Sequence, residues 1–163
     1  MNLILLTPQD CPQTNTAILT GRRLQHVLSI HQAQVGQTLR VGMVNGLMGE
    51  AEITRLDERE LHLQFNLTQP PPAKLPLTLL LALPRPKMLK RILQTVATMG
   101  VESLVLMNNY RVEKSFWHSP FLQPEAIEHE LILGLEQARD TVLPEVVLEK
   151  RFKPFVEDRL ANL

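Results

Sequence analysis

Residues 82–117 read ALPRPKMLKRILQTVATMGVESLVLMNNYRVEKSFW, and residues 125–144 read EAIEHELILGLEQARDTVLP. The first stretch predicts a basic helix over 87–99, a stop at Gly100, a buried strand over 103–107 and an Arg-containing loop beyond it. On that helix Met88, Ile92, Val96 and Met99 share one face, while Lys87, Lys90 and Arg91 crowd its start. Cations at a helix N-terminus oppose the macrodipole, at a cost on the order of a few tenths of a kcal/mol each, so their placement favours an anionic partner. The second stretch predicts a long helix over 124–141, with Pro124 in its first turn and Pro144 past its end, then a short strand over 145–148. Upstream, LTLLLAL at 77–83 is an apolar run of strand length, as expected for a strand covered on both faces. This order of elements makes the fold class α/β.

The chain before this region has a different rhythm. LILL, TLRVGMV, AEITRL and ELHLQFNL are short β-compatible runs separated by turn signals, among them Val35-Gly36-Gln37 and Asn45-Gly46. One helix is expected over 20–31, capped by Thr20, with Leu24, Val27, Leu28 and His31 at helical spacing. Residues 1–68 therefore predict a small β-barrel carrying one short helix. Gln69-Pro70-Pro71-Pro72-Ala73-Lys74-Leu75-Pro76 then marks a linker at 69–76, because prolines cannot donate backbone hydrogen bonds and favour an extended connector. Residues 77–163 form the second domain.

Composition limits the function classes. Seventeen basic residues balance seventeen acidic ones, so a nucleic-acid footprint must be local. Cys11 stands alone, which excludes an intramolecular disulfide or a Cys-rich metal site, and the five histidines lack metal-ligand spacing. No metal is expected. The apolar N-terminus is too short for a signal sequence and reads as a first strand, and no run approaches the roughly 20 apolar residues of a membrane span. A cytoplasmic protein without a membrane partner is expected.

Four polar groups are candidates for a site. Arg22, Arg23, His26 and Arg40 could bind phosphate from the edge of the barrel, or form a solvated face. Arg85, Lys87, Lys90 and Arg91 follow the C-terminal end of a predicted parallel strand, where ligands of open α/β sheets gather. Asn108 to Ser115, including Arg111 and Lys114, follow the next strand, with Tyr110 and Trp117 as stacking surfaces for RNA bases. The plainer reading of that loop pairs Glu113 with Lys114 or Arg111. Arg139, beside Glu136 and Gln137, suits a helix end by its charge alone and could instead pair with Glu136 or Asp140.

These residues also carry a family resemblance. His26 with Gly36, Leu39-Arg40-Val41 and Asn45-Gly46 is similar to a PUA-like barrel, and Thr98-Met99-Gly100-Val101 resembles a family step usually written E-L-G-V. Residues 110–115 (YRVEKS) resemble a loop usually containing Arg-Ser, and Glu136 to Arg139 with Pro144 resemble a Q-x-x-R…P helix end. In this order they resemble the ribosomal RNA small subunit methyltransferase E family of the SPOUT superfamily.

The resemblance implies a PUA-like RNA-binding β-barrel followed by the first part of a knotted α/β methyltransferase domain. It implies S-adenosylmethionine-dependent methylation of uracil N3 in 16S rRNA, on or from the small ribosomal subunit, by a homodimer when complete. Lys87 and Lys90 would hold phosphate, and Arg111 and Arg139 would orient RNA or stabilise charge. Two departures stand out. Gln32 occupies a position where the family commonly has Arg, and neither I-G-P-E-G-G nor L-R-x-E-T-A occurs in the chain. Those motifs belong to the donor-binding knot, so the donor pocket is expected beyond Leu163, with no cofactor-binding residue and no catalytic base assigned here. The alternative expectation is a non-catalytic RNA-binding module or remnant of such an enzyme.

Overall fold

A computed structural model of the chain describes residues 2–31 and 33–162; Gln32 and the side chain of His31, both singled out above, lie outside that description. The chain divides into two units, Met1–Pro72 with Leu135–Val142, and Ala73–Gly134 with Leu143–Leu163. Residues 135–142 thus return to the first unit, a feature a single cut at 69–76 does not contain.

In the first unit, strands β1 (Ile4–Leu6), β2 (Thr16–Leu19), β3 (Thr38–Met43), β4 (Met48–Leu56) and β5 (Leu61–Gln69) form a sheet of order β1-β3-β4-β5-β2. Only the β1–β3 pair is parallel. Among the described residues the outermost strands, β1 and β2, do not pair with each other, so the small β-barrel suggested by the sequence is an open sheet. Alternation decides which face is covered. Ala51 and Ile53 of β4 lie opposite Phe65 and Leu63 of β5, and all four are buried. Gly49 admits the backbone of Asn66, which would collide with any Cβ at that position. β2 went unread in the sequence because it is a four-residue run, TAIL, entered through Asn15 in the left-handed region at φ 59°.

The predicted helix over 20–31 divides into α1 (Gly21–His26) and a π-helical turn at Val27–His31. Thr20 does stand at the N-cap position, although its side chain makes no capping bond. Leu24 and Val27 are buried in the core built on the sheet, with Leu28 packed against them.

The second unit holds β6 (Leu75–Ala82), β7 (Val101–Met107) and β8 (Glu145–Glu149), in the order β6-β7-β8 and parallel throughout. β7 is the strand covered on both faces, with Ser103 to Leu106 buried. The apolar run at 77–83 was expected to be covered on both faces as well. It belongs instead to β6, an edge with Leu75, Leu77 and Leu80 exposed, because among the described residues β6 pairs only with β7.

Helices α2 (Pro86–Thr98) and α3 (Pro124–Ala138) connect the strands. α2 buries Leu89, Leu93, Val96 and Ala97 and leaves Met88 and Met99 exposed. The buried stripe is therefore rotated about one residue from the expected Met88–Ile92–Val96–Met99 face; both stripes are apolar in sequence, and packing chooses between them. α3 ends three residues earlier than expected, because Arg139 turns left-handed at φ 57° and the Asp140 amide donates to the Leu135 carbonyl.

α2 and α3 meet at Gly134. A Cβ there would run into the Gln94 carbonyl oxygen and come within 2.8 Å of the Ala97 side chain. Thr98 Oγ1 donates to the carbonyls of Gln94 (2.8 Å) and Gly134 (3.2 Å) at the same crossing. Gly134→Ala should therefore lower stability by roughly 1–3 kcal/mol through overpacking, even though alanine is the better helix former by about 1 kcal/mol. Urea denaturation checks this; a variant as stable as the parent would mean the helices have room to spare.

Candidate nucleic-acid interface

Parallel pairing sends the C-terminal ends of β6 and β7 in one direction, so the segments following them lie at the same end of the sheet. Leu83 extends this alignment, its amide donating to the Met107 carbonyl (2.9 Å). Arg85 stands at the N-cap position of α2, with Pro86 as the first helical residue. Arg85, Lys87 and Arg91 are exposed, and among the described residues none of their side chains enters an ion pair or hydrogen bond. Lys90 differs. Its ammonium lies 3.6 Å from Glu130 Oε1 and 4.2 Å over the Phe121 ring, while Gln94 Nε2 donates to Glu130 Oε2 at 2.6 Å.

The loop after β7 is held by its asparagines. Asn109 Oδ1 accepts from the Arg111 amide (2.7 Å), and Asn108 Oδ1 accepts from the Trp117 indole (3.2 Å). Tyr110 projects at 89% exposure, with the Arg111 guanidinium 5.3 Å from its ring. An aromatic ring this open beside a cation is suited to stacking on an unpaired base. Lys114 is also exposed, whereas Trp117 is half-buried with Lys150 5.9 Å over its ring. Two short 3-10 turns, Lys114–His118 and Pro120–Leu122, then bring Phe116 and Phe121 to α2. Arg85, Pro86, Lys87, Met88, Arg91, Phe116 and Phe121 line a cavity of about 670 Å³.

The candidates in the first unit have different surroundings. Arg22 makes a two-pronged bond to Glu136, at 2.7 and 3.2 Å, and Glu136 is 1% exposed. Arg23 binds both carboxylate oxygens of Asp10 (2.6 and 2.8 Å) and the Leu5 carbonyl (2.7 Å). These guanidiniums are therefore committed to holding the fold. His26 is half-buried, Arg40 lies exposed on β3 opposite Glu50, and Arg139 is exposed. Arg139 belongs to the first unit with Glu136, whereas the Arg85 cluster and Arg111 belong to the second. Sequence reasoning missed Glu130, Phe116 and Phe121. Lys90 and Glu130 are forty residues apart, so no local spacing announces them, while the two phenylalanines lie just past the polar run at 108–115 that drew attention.

Among the described residues no helix is long and apolar enough to cross a membrane, and no cluster of His, Cys, Asp or Glu could hold a metal ion. Residues 71–162, more than half the chain, match the family model of the RNA methyltransferase domain. The chain belongs to that family. Two curated relatives of this RNA methyltransferase-domain protein are ribosomal RNA small subunit methyltransferase E of Treponema pallidum and ribosomal RNA small subunit methyltransferase E 1 of Borreliella burgdorferi. The first is 31% identical over 95% of this chain and 59% of its own length; the second is 27% identical over 94% and 63%. The chain thus spans about three-fifths of those relatives.

Solved structures share the fold at low identity. A putative methyltransferase from Legionella pneumophila, in complex with S-adenosylmethionine, matches with a TM-score of 0.70 at 17% identity, over 98% of this chain and 66% of that one. A ribosomal RNA small subunit methyltransferase E from Neisseria gonorrhoeae, also bound to S-adenosylmethionine, matches with a TM-score of 0.64 at 16% identity, over 91% and 63%. An N-terminal β-sheet followed by an α/β region is therefore the arrangement this RNA methyltransferase-domain protein shares with them.

Two outcomes follow from the paired arginines. Arg22→Ala leaves the Glu136 carboxylate buried without its counter-charge and should cost about 2 kcal/mol, whereas Arg85→Ala should stay within about 0.5 kcal/mol in the same denaturation assay. Burial by itself would raise the Asp10 carboxyl, but bonds from Arg23 and from the Thr7 amide, with the Arg23 charge, outweigh it and hold the group below its ordinary 3.8. A depressed carboxylate adds stability above its unfolded value and loses it as pH falls through the folded one. Asp10→Asn should therefore be less stable than the parent at neutral pH, with the gap closing below about pH 3.8; a gap independent of pH would remove the ion pair as its cause.

Proposed function

We propose that this chain is the RNA-facing part of an S-adenosylmethionine-dependent methyltransferase that modifies uracil N3 in 16S rRNA of the small ribosomal subunit. In this reading the N-terminal sheet is a PUA-like RNA-binding domain over 1–68, joined by a linker at 69–76 to the first part of a SPOUT domain over 77–163. The complete enzyme works as a cytoplasmic homodimer.

The observation that carries the proposal is the trio Arg85, Lys87 and Arg91, without intramolecular partners among the described residues and at the same sheet end as the Tyr110–Arg111 loop. Unneutralised cations at the same sheet end as an open aromatic ring suit a phosphate backbone carrying unstacked bases. The names of the curated relatives supply the rRNA substrate and the methyl transfer. Lys114 extends the cationic surface from the loop; Arg40 and Arg139 are assigned to a second RNA contact on the first unit.

The methyl donor fits the cavity beside α2 poorly. Its centre is a sulfonium cation, and the charged groups lining the cavity are Arg85, Lys87 and Arg91, with no carboxylate among them. We therefore assign no residue of this chain to the donor and no step of the transfer to this cavity. The same observation favours a second reading, a non-catalytic RNA-binding module built from the same two units.

Small subunits lacking the modification, incubated with the complete protein and methyl-labelled S-adenosylmethionine, separate the two. Label recovered as 3-methyluridine in 16S rRNA establishes the enzyme; RNA retention without transfer establishes the module. In either case Lys87→Ala with Arg91→Ala should weaken RNA binding and flatten its salt dependence, by about 0.7 in slope for each phosphate the variant no longer neutralises.

A further inference from the structure

Charge explains why RNA would approach α2, but not why an apolar hollow lies beside the charges. Pro86, Met88, Phe116 and Phe121 supply apolar wall, and Arg85, Lys87 and Arg91 supply charge. At about 670 Å³ the hollow is in the size range of small-ligand sites. All of its lining belongs to the second unit.

Phe121 is held through its backbone and through its ring. Its amide donates to Ser119 Oγ (3.3 Å), and Lys90, itself tied to Glu130, lies 4.2 Å over the ring. Both rings are half-buried, while Met88 stays 43% exposed on the helix side. An aromatic and thioether surface bordered by three cations is complementary to one ligand chemistry above others: a flat unpaired base whose flanking phosphates are anionic.

We propose that this cavity is a base-stacking slot. It takes one unstacked nucleobase of a single-stranded RNA against Phe116 and Phe121, while Arg85, Lys87 and Arg91 hold the neighbouring phosphates. The proposal rests on the RNA-binding reading above and specifies it further. Among the described residues no Asp, Glu, Asn, Gln, Ser or Thr lines the slot, so its side chains offer no acceptor to the donor edge of a base. We therefore assign the bound base as a neighbour of the modified uracil rather than the uracil itself, whose N3–H calls for an acceptor.

The test uses the 163-residue protein and a uridine-rich single-stranded RNA carrying one 2-aminopurine, whose fluorescence reports stacking. Binding should quench the fluorescence. Phe121→Leu and Phe116→Leu, each checked for an unchanged unfolding transition, should lower affinity roughly 5- to 100-fold, abolish the quench and keep the salt slope. Lys87→Ala with Arg91→Ala should lower the salt slope while bound RNA still shows the quench. An RNA with an abasic site at the reporter position should bind the parent as weakly as the intact RNA binds Phe121→Leu. Salt-dependent binding with no quench, and with both leucine variants at parental affinity, would overturn the slot but leave the RNA-binding reading standing. No RNA binding by the parent protein would overturn both. If Phe121→Leu fails to fold, Phe116→Leu and the quench on the parent protein decide the matter.

Discussion

The organisation of the second unit depends on β7 having a parallel partner on each side. A parallel sheet cannot be closed by tight hairpins, so each strand must be followed by a crossover that begins at the same end. That requirement delivers Leu83 to Arg85 and Asn108 to Lys114 to neighbouring positions, although more than twenty residues separate them along the chain. It also buries β7 on both faces, which is why its residues from Ser103 to Leu106 are the least exposed stretch of this unit's sheet. The helices inherit their spacing from it. α2 and α3 lie close enough at Gly134 that a hydrogen atom is the only side chain the crossing admits.

The cations of this protein fall into two classes that composition does not distinguish. Arg22 and Arg23 face carboxylates that are buried or half-buried, and both make two-pronged contacts whose geometry only a guanidinium provides. Arg85, Lys87 and Arg91 are exposed and have no such carboxylate among the described residues. Lys90 sits between the classes, since its ammonium is shared between Glu130 and the Phe121 ring. A net charge of zero is thus compatible with a cationic local surface, because the sum does not fix where the unpaired cations lie.

Periodicity and turn chemistry made most of the fold legible. The alternation in β4 and β5 and the α/β order in the second half of the chain are local signals, and they translate directly into elements. What was not legible depended on partners distant in sequence. The exposed edge position of β6 cannot be read from LTLLLAL, since an apolar run looks the same with one neighbour as with two. Which of two apolar stripes on α2 is buried was decided by α3 and the sheet. At the candidate site, Arg85 to Arg91 and the loop around Arg111 could be found from charge and position, while Glu130 and the Phe116–Phe121 wall could not. Arg22 and Glu136 are 114 residues apart, so their bond has no trace in local sequence.

Pro76 lies inside β6, on an outer strand of its sheet, and the pairing with β7 is irregular between Leu75 and Thr78. Proline removes one amide from the strand and is tolerated only where that amide has no ladder bond to make. The remaining stretch, Leu77 to Ala82, has four leucines, no charge and no further proline, features shared with segments that seed cross-β association. Pro76 therefore acts as a gatekeeper against self-association for the first part of this edge alone, and the leucines after it make β6 the segment from which aggregation of concentrated protein would start.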